Sequence, residues 1–205
     1  RTLTEDVDAD TTVITMPANI AATLLSSTSP AAADLLAGIE HASVALLTLL
    51  YERSEVPVPL DASGVLIPRS EGAATTAISW GSSKWAHWND GRHVILRASI
   101  GHDGDERGRV WSDEQLVDAV RADLRLVMGI TAPPAAVRTS RWLDGFPQYR
   151  PGHSSLVQRI HDHLAVDAPT VALAGMAYDG VGIPASIGTG RRAAAHLSDR
   201  LSDRN

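Results

Sequence analysis

The sequence predicts a mixed α/β and α+β chain: a mainly antiparallel sheet with helices, plus a closing strand and helix of different character. Three stretches carry that expectation. His93 to Gly101 alternates, with Val94, Leu96, Ala98 and Ile100 on one side and His93, Ile95, Arg97 and Ser99 on the other, the period of a strand with one buried face. Ser112 followed by Gln115 is a capping-box pattern, and Asp113 and Glu114 place negative charge where a helix dipole favours it. Thr170 to Ala174 reads as a short buried strand that runs into glycines and then Pro184, a good first-turn residue for a helix.

From the start of the chain, a turn at Asp8 to Asp10 precedes a strand at Thr12 to Met16, stopped by Pro17. Helices are expected at Ala18 to Leu25 and Ala31 to Ile39, each opening on a proline. Ser43 to Leu50 is too short and too continuously apolar to settle by periodicity and is read as a buried strand, ended by Pro57 and Pro59. Strands follow at Gly64 to Pro68 and Thr75 to Trp80, with a turn at Ser70, Glu71 and Gly72. The capped helix carries the stripe Leu116, Val120, Leu124 and Val127 and ends near Gly129. Ala136 to Trp142 reads as a strand and Ser154 to Leu164 as a helix. The last helix is expected to bury Ile183, Ile187, Ala194, Leu197 and Leu201 along one face. This order fits a discontinuous domain that the chain leaves near Pro17 and re-enters near Thr170. Residues 1–16 and 166–205 then belong to one domain and 17–165 to a second, inserted one.

Composition narrows the function. The 205 residues carry 18 Lys plus Arg against 24 Asp plus Glu, a formal charge of -6, which argues against nucleic acid as a partner because phosphate binding needs a basic face. With 44% hydrophobic residues the chain can bury a core. It has no cysteine, which removes disulfides, thiolate zinc sites and cysteine nucleophiles and fits a reducing compartment; the cytoplasm is the expected location. The longest apolar run, Ala42 to Tyr51, is about half of the roughly 20 residues that span a bilayer, so no transmembrane segment is expected. A chain that starts on Arg1 and moves directly into Asp-rich sequence looks like a piece of something longer.

The most informative segment is Leu173 to Gly190. A strand ends at Gly175, Gly180 and Gly182 form a turn, and a helix starts at Ile183 and Pro184. Such a junction is either an ordinary strand-turn-helix connection or a cradle in which glycines admit a ligand close to backbone and free N–H groups face an electron-rich group. Neither a G-x-G-x-x-G fingerprint nor a Walker loop occurs in the chain, so a whole nucleotide site is not encoded.

Tyr178-Asp-Gly-Val-Gly-Ile-Pro-Ala-Ser-Ile, continuing to Gly190-Arg191-Arg192-Ala193-Ala194, resembles the C-terminal flavin motif of the oxygen-dependent, FAD-dependent protoporphyrinogen and coproporphyrinogen III oxidases of haem biosynthesis. Arg141-Trp142, Phe146-Pro147-Gln148-Tyr149 and Gly152-His153 resemble the family's "RW…PQY…GH" signature. Ser82-Ser83-Lys84-Trp85, Arg97 to Gly101 with Gly104-Asp105-Glu106, and Gly64 to Pro68 also look like family segments, in order from about residue 12 onward. The resemblance implies the C-terminal portion of an amine-oxidase-like FAD flavoprotein, made of a substrate-domain sheet with helices and the closing strand and helix of the FAD domain. It implies FAD as cofactor, with Val181, Gly182 and Ile183 as backbone contacts of the flavin and Trp142 against the FAD site. It also implies a porphyrinogen substrate and dioxygen as partners, with six electrons removed in three two-electron steps and hydrogen peroxide released. Leu66 and Ile100 fall where the family places apolar walls of the tetrapyrrole pocket, and Lys84 and Arg97 are candidate partners of substrate propionates. No catalytic side chain is assigned.

The sequence departs from the family at Ser186, where many relatives have cysteine, and at Met176, which replaces a smaller residue; neither removes a backbone contact. The family's opening G-x-G-x-x-G unit is absent, so this portion is expected to need an N-terminal FAD-binding half and to be inactive alone. Gly101 to Glu106 reads as a plain turn, and His161 and His163, two apart on a helix, point to different faces and cannot chelate together, so no metal site is expected. The alternatives are another amine-oxidase-like flavin oxidase, and a non-catalytic tetrapyrrole-binding domain.

Overall fold

A computed structural model describes residues 6–202; residues 1–5 and 203–205, parts of the expected first and last segments, lie outside the described residues. The first half of the chain contains β1 (Thr12–Ile14), α1 (Ala18–Leu25), α2 (Pro30–Ala37), β2 (His41–Glu52), β3 (Gly64–Leu66), β4 (Thr75–Trp80), α3 (Gly81–Lys84) and β5 (His93–Ile100). The second half contains α4 (Arg107–Val110), α5 (Asp113–Met128), β6 (Ala136–Pro147), α6 (His153–Asp167), β7 (Val171–Leu173) and α7 (Ile183–Ser202). Every strand and helix read from the sequence is present. The largest changes in length are at β2 and β6, which continue past the stretches read from local pattern because neighbouring strands extend the ladder.

Contacts divide the chain into two compact units, Arg1–His41 with Pro147–Asn205, and Ala42–Phe146. By contacts the chain passes between the units at 41 and 147. The reason is a shared apolar cluster: Ile14 of β1 and Leu173 of β7 pack with Ala18, Ala21 and Leu25 of α1, Leu36 of α2, and Ile160 and Leu164 of α6.

The continuous unit is built on a five-stranded sheet of order β3-β4-β5-β2-β6, antiparallel at β3–β4, β4–β5 and β2–β5. As the alternation of β5 predicts, Val94, Leu96, Ala98 and Ile100 are buried. They share a core with Leu47, Leu49 and Tyr51 of β2 and with Leu116, Val120, Leu124 and Met128 of α5. Burial of each large aliphatic side chain stabilises the fold by about 1.5–3 kcal/mol. Met128 takes the inward position expected of Val127, which is exposed. Each step of four from Leu116 to Met128 turns about 40° around the helix, so the buried stripe winds along α5 instead of returning to the direction of Val127.

The α5 cap forms as its sequence requires: Gln115 N–H donates to Ser112 Oγ at 3.2 Å, and Ser112 N–H donates to Gln115 Oε1 at 2.9 Å. Gly129 closes the helix at φ 68°, a left-handed cap that glycine adopts without a Cβ penalty. Asp123, on the same helix, is buried and accepts the Thr75 N–H at 2.7 Å, fastening the start of β4.

In the discontinuous unit β1 and β7 pair in parallel, Thr12 with Val171 and Ile14 with Leu173. Leu173 faces the cluster of α1, α2 and α6, whereas Ala172 and Ala174 pack against Ala193 and Leu197 of α7. The stripe expected on α7 is therefore corrected. Its buried residues are Thr189, Ala193 and Leu197, while Ile183, Ile187 and Ala194 are exposed. Thr189 lies two residues, about 200° around the helix, from Ile187, nearly the opposite face. Its Oγ1 accepts the Gly175 N–H at 2.9 Å, so a hydrogen bond and the small side chains of β7 set the rotation of α7 in place of its isoleucines.

Candidate flavin-facing segment and sheet face

Between β7 and α7 the backbone passes through Gly175 (φ 136°), Gly180 (φ 109°) and Gly182 (φ 107°), conformations that side chains other than glycine rarely adopt. A Cβ at Gly182 would meet nothing within 4 Å, so open space lies beside this backbone. Val181 and Ile183 stand on either side, 56% and 77% exposed. The structure thus brings Val181, Gly182 and Ile183 together at the first turn of a helix of 20 residues, whose opening N–H groups have no partner within the helix.

The segment is held from several sides. Tyr149 Oη donates to the Met176 carbonyl at 2.6 Å and accepts the Gly180 N–H at 2.8 Å. The Tyr149 ring stacks on His153 with centroids 3.8 Å apart, and His153 Nε2 bonds the Ala177 carbonyl at 2.9 Å. Arg192 forms an ion pair with Asp179. Tyr178 is buried, its hydroxyl has no hydrogen-bond partner among the described residues, and burial pushes its phenol up to about 12. Tyr149 and His153 stood in the sequence only as motif letters. Their contacts join residues 24 to 31 apart in sequence, and no local pattern signals such a separation.

The other candidates lie in the continuous unit. Trp142 is on β6 and 57% exposed, and Leu66, at the end of β3, is 81% exposed. Ile100 is fully buried in the core, so its side chain is committed to packing and presents no accessible surface. The opposite face of the sheet is half-open: Ile95, Arg97 and Ser99 of β5 pair with Leu50, Thr48 and Leu46 of β2. Among the described residues no hydrogen bond or ion pair engages the Arg97 guanidinium. Lys84 is exposed, with its ammonium 5.6 Å from the Trp85 ring centroid. His161 lines a cleft of about 340 Å³ with His196, and among the described residues no cluster of three His, Asp or Glu could hold a metal ion. None of the described helices is long and apolar enough to cross a membrane.

Comparison with known proteins places the fold. The family described as flavin containing amine oxidoreductase matches residues 2–198. The chain belongs to that family. Among curated relatives of this chain, the coproporphyrinogen III oxidase of Bacillus subtilis (strain 168) is 34% identical over 196 residues, which is 96% of this chain and 41% of the relative. That of Mycobacterium tuberculosis (strain ATCC 25618 / H37Rv) is 34% identical over 94% of the chain and 41% of the relative. The protoporphyrinogen oxidase of Bos taurus is 28% identical, again over 41% of its length. The crystal structure of a candidate protoporphyrinogen oxidase from Exiguobacterium sp. 255-15 superimposes with a TM-score of 0.80 at 31% identity, covering 95% of this chain and 42% of that one. Cyclohexylamine oxidase from Brevibacterium oxydans IH-35A, at 15% identity and a TM-score of 0.65, shares the fold over 94% of this chain and 43% of its own. The chain spans about two fifths of the length of the relatives it matches. The family resemblance and the mixed fold read from the sequence are borne out, including the amine-oxidase-like architecture.

Proposed function

We propose that the chain is part of a FAD-dependent porphyrinogen oxidase that converts coproporphyrinogen III to the porphyrin in the cytoplasm, with protoporphyrinogen IX as the alternative substrate. The family assignment and the two relatives at 34% identity, both named for coproporphyrinogen III, support this reading. The observation that carries it is Arg97: a half-buried cation without a partner among the described residues, set on the sheet face beside Ile95 and Leu50, as an apolar macrocycle with carboxylate arms would need. Carboxylates form strong charge-assisted hydrogen bonds with a guanidinium.

The first turn of α7 fits a flavin edge. Gly182 has open space beside its backbone, Val181 and Ile183 offer apolar cover, and helix N–H groups favour negative charge. Bound FAD would supply the electron acceptor, taking two electrons in each of three steps and passing them to dioxygen, which leaves as hydrogen peroxide. Residues of this chain then bind and orient. Arg97 holds a propionate, Ile95, Leu46 and Leu50 exclude water along one face of the macrocycle, and the α7 backbone stabilises negative charge on the reduced cofactor. The adenosine and pyrophosphate require residues that this chain does not contain, and the 205 residues alone are inactive on this reading.

The test is the complete gene product with Arg97→Leu. The wild type is expected to carry FAD, consume oxygen with coproporphyrinogen III and release hydrogen peroxide; the variant is expected to keep its flavin and raise KM for that substrate about tenfold or more. A full-length protein that takes up no flavin sinks the reading. Equal KM in variant and wild type removes Arg97 from the substrate site. Faster turnover of protoporphyrinogen IX makes that the substrate.

A further inference from the structure

We infer that Tyr149 and His153 are positioning residues, a stacked clamp that fixes the segment 175–182 and thereby the backbone of Val181 to Ile183; this rests on the flavin reading of that backbone. The clamp grips three successive points of the loop: the Met176 carbonyl and the Gly180 N–H through one phenolic oxygen, and the Ala177 carbonyl through the His153 ring. Both rings are themselves fixed. His153 is buried at the start of α6, and the two planes lie 17° from parallel, so neither ring turns without losing the stack. Gly175, Gly180 and Gly182 would otherwise leave this segment the freest backbone in the unit, because glycine has access to both halves of φ space. Donors aimed at a charge-bearing group contribute most when already oriented before the charge develops. A loop with three flexible residues needs external bonds to meet that condition, and Tyr149 supplies two of them across a single oxygen.

The discriminating substitution is Tyr149→Phe, which keeps the stack and removes both hydrogen bonds at a residue exposed enough for the fold to tolerate it. In the complete gene product, hydrogen exchange of peptides covering residues 174–183 is expected to quicken tenfold or more at the Gly180 amide, with α6 and β7 unchanged. FAD affinity is expected to fall at least fivefold and the visible flavin bands to shift. Unchanged exchange at 176–182 overturns the clamp. Quickened exchange with unaltered flavin spectrum and affinity overturns the positioning role. A wild type without flavin overturns the reading of the site and with it the positioning role, while the exchange measurement still reports whether the clamp holds the loop.

Discussion

The two units solve the burial of a sheet differently. The continuous unit covers one face of a five-stranded sheet with a single capped helix, and the resulting core is completely enclosed, from Leu47 to Leu124. The discontinuous unit has a parallel pair of three-residue strands, and Val13, Met16, Ile20 and Leu24 remain on its surface. Parallel sheets are ordinarily buried on both faces, and two strands are too few to be stable by themselves. The stability of this unit therefore lies in its helices, α1, α2 and α6, whose alanines and leucines pack around one leucine of β7. Both cores are enclosed, Leu36 and Ile160 as fully as Leu47 and Leu124; what differs is whether a sheet or a cluster of helices supplies the enclosing surface.

The largest test of that contrast is Leu96→Ala. It removes a fully buried side chain from the five-stranded sheet and should cost about 2–5 kcal/mol, read by urea unfolding with hydrogen exchange resolved along the chain. Amides of β2 and β5 should lose protection and those of α1 and α6 should keep theirs. Equal loss in both sets breaks the view that each unit has its own core.

Alkali probes the other unit. Tyr178 is neutral when protonated, and burial raises its pKa to about 12, above an unfolded value near 10. Its contribution is thus fully present below about pH 10 and is lost as pH rises from there toward 12, a loss of about 2–3 kcal/mol at most. Between pH 9 and pH 11 Tyr178→Phe should lose less of its urea resistance than the wild type does. Tyr51, raised by burial against the opposing charge of Arg121, supplies a similar background in both proteins.

The smallest effect is expected of Ser112→Ala, which leaves the Gln115 N–H of α5 without its cap and should cost about 1 kcal/mol. Thermal unfolding of the continuous unit would show it, and a null result would mean that packing of Leu116 and Val120 alone holds the first turn.

Much of the continuous unit was legible because its signals are local. The alternation of β5, the Ser112 cap and the Gly129 stop each lie within a few residues of the structure they set. The α7 stripe was misread for the complementary reason. A helix buries whichever side meets its partner, and here Ala172 and Ala174 of β7 meet the side that carries Ala193 and Leu197. The site divides in the same way. Val181, Gly182 and Ile183 are contiguous and stand together in structure as in sequence, whereas Ile100 shares its strand with Arg97 but points into the core.

By itself the sequence determined the elements, the family and the glycine-bearing turn before α7, because strand period, caps and motif residues are encoded within short windows. Only the tertiary structure decided which side of each element is covered, that α1, α2 and α6 belong with β1 and β7, and that Tyr149 and His153 hold a loop some thirty residues away. Those outcomes depend on which surfaces meet across long separations in the chain, and no window of sequence contains both surfaces at once.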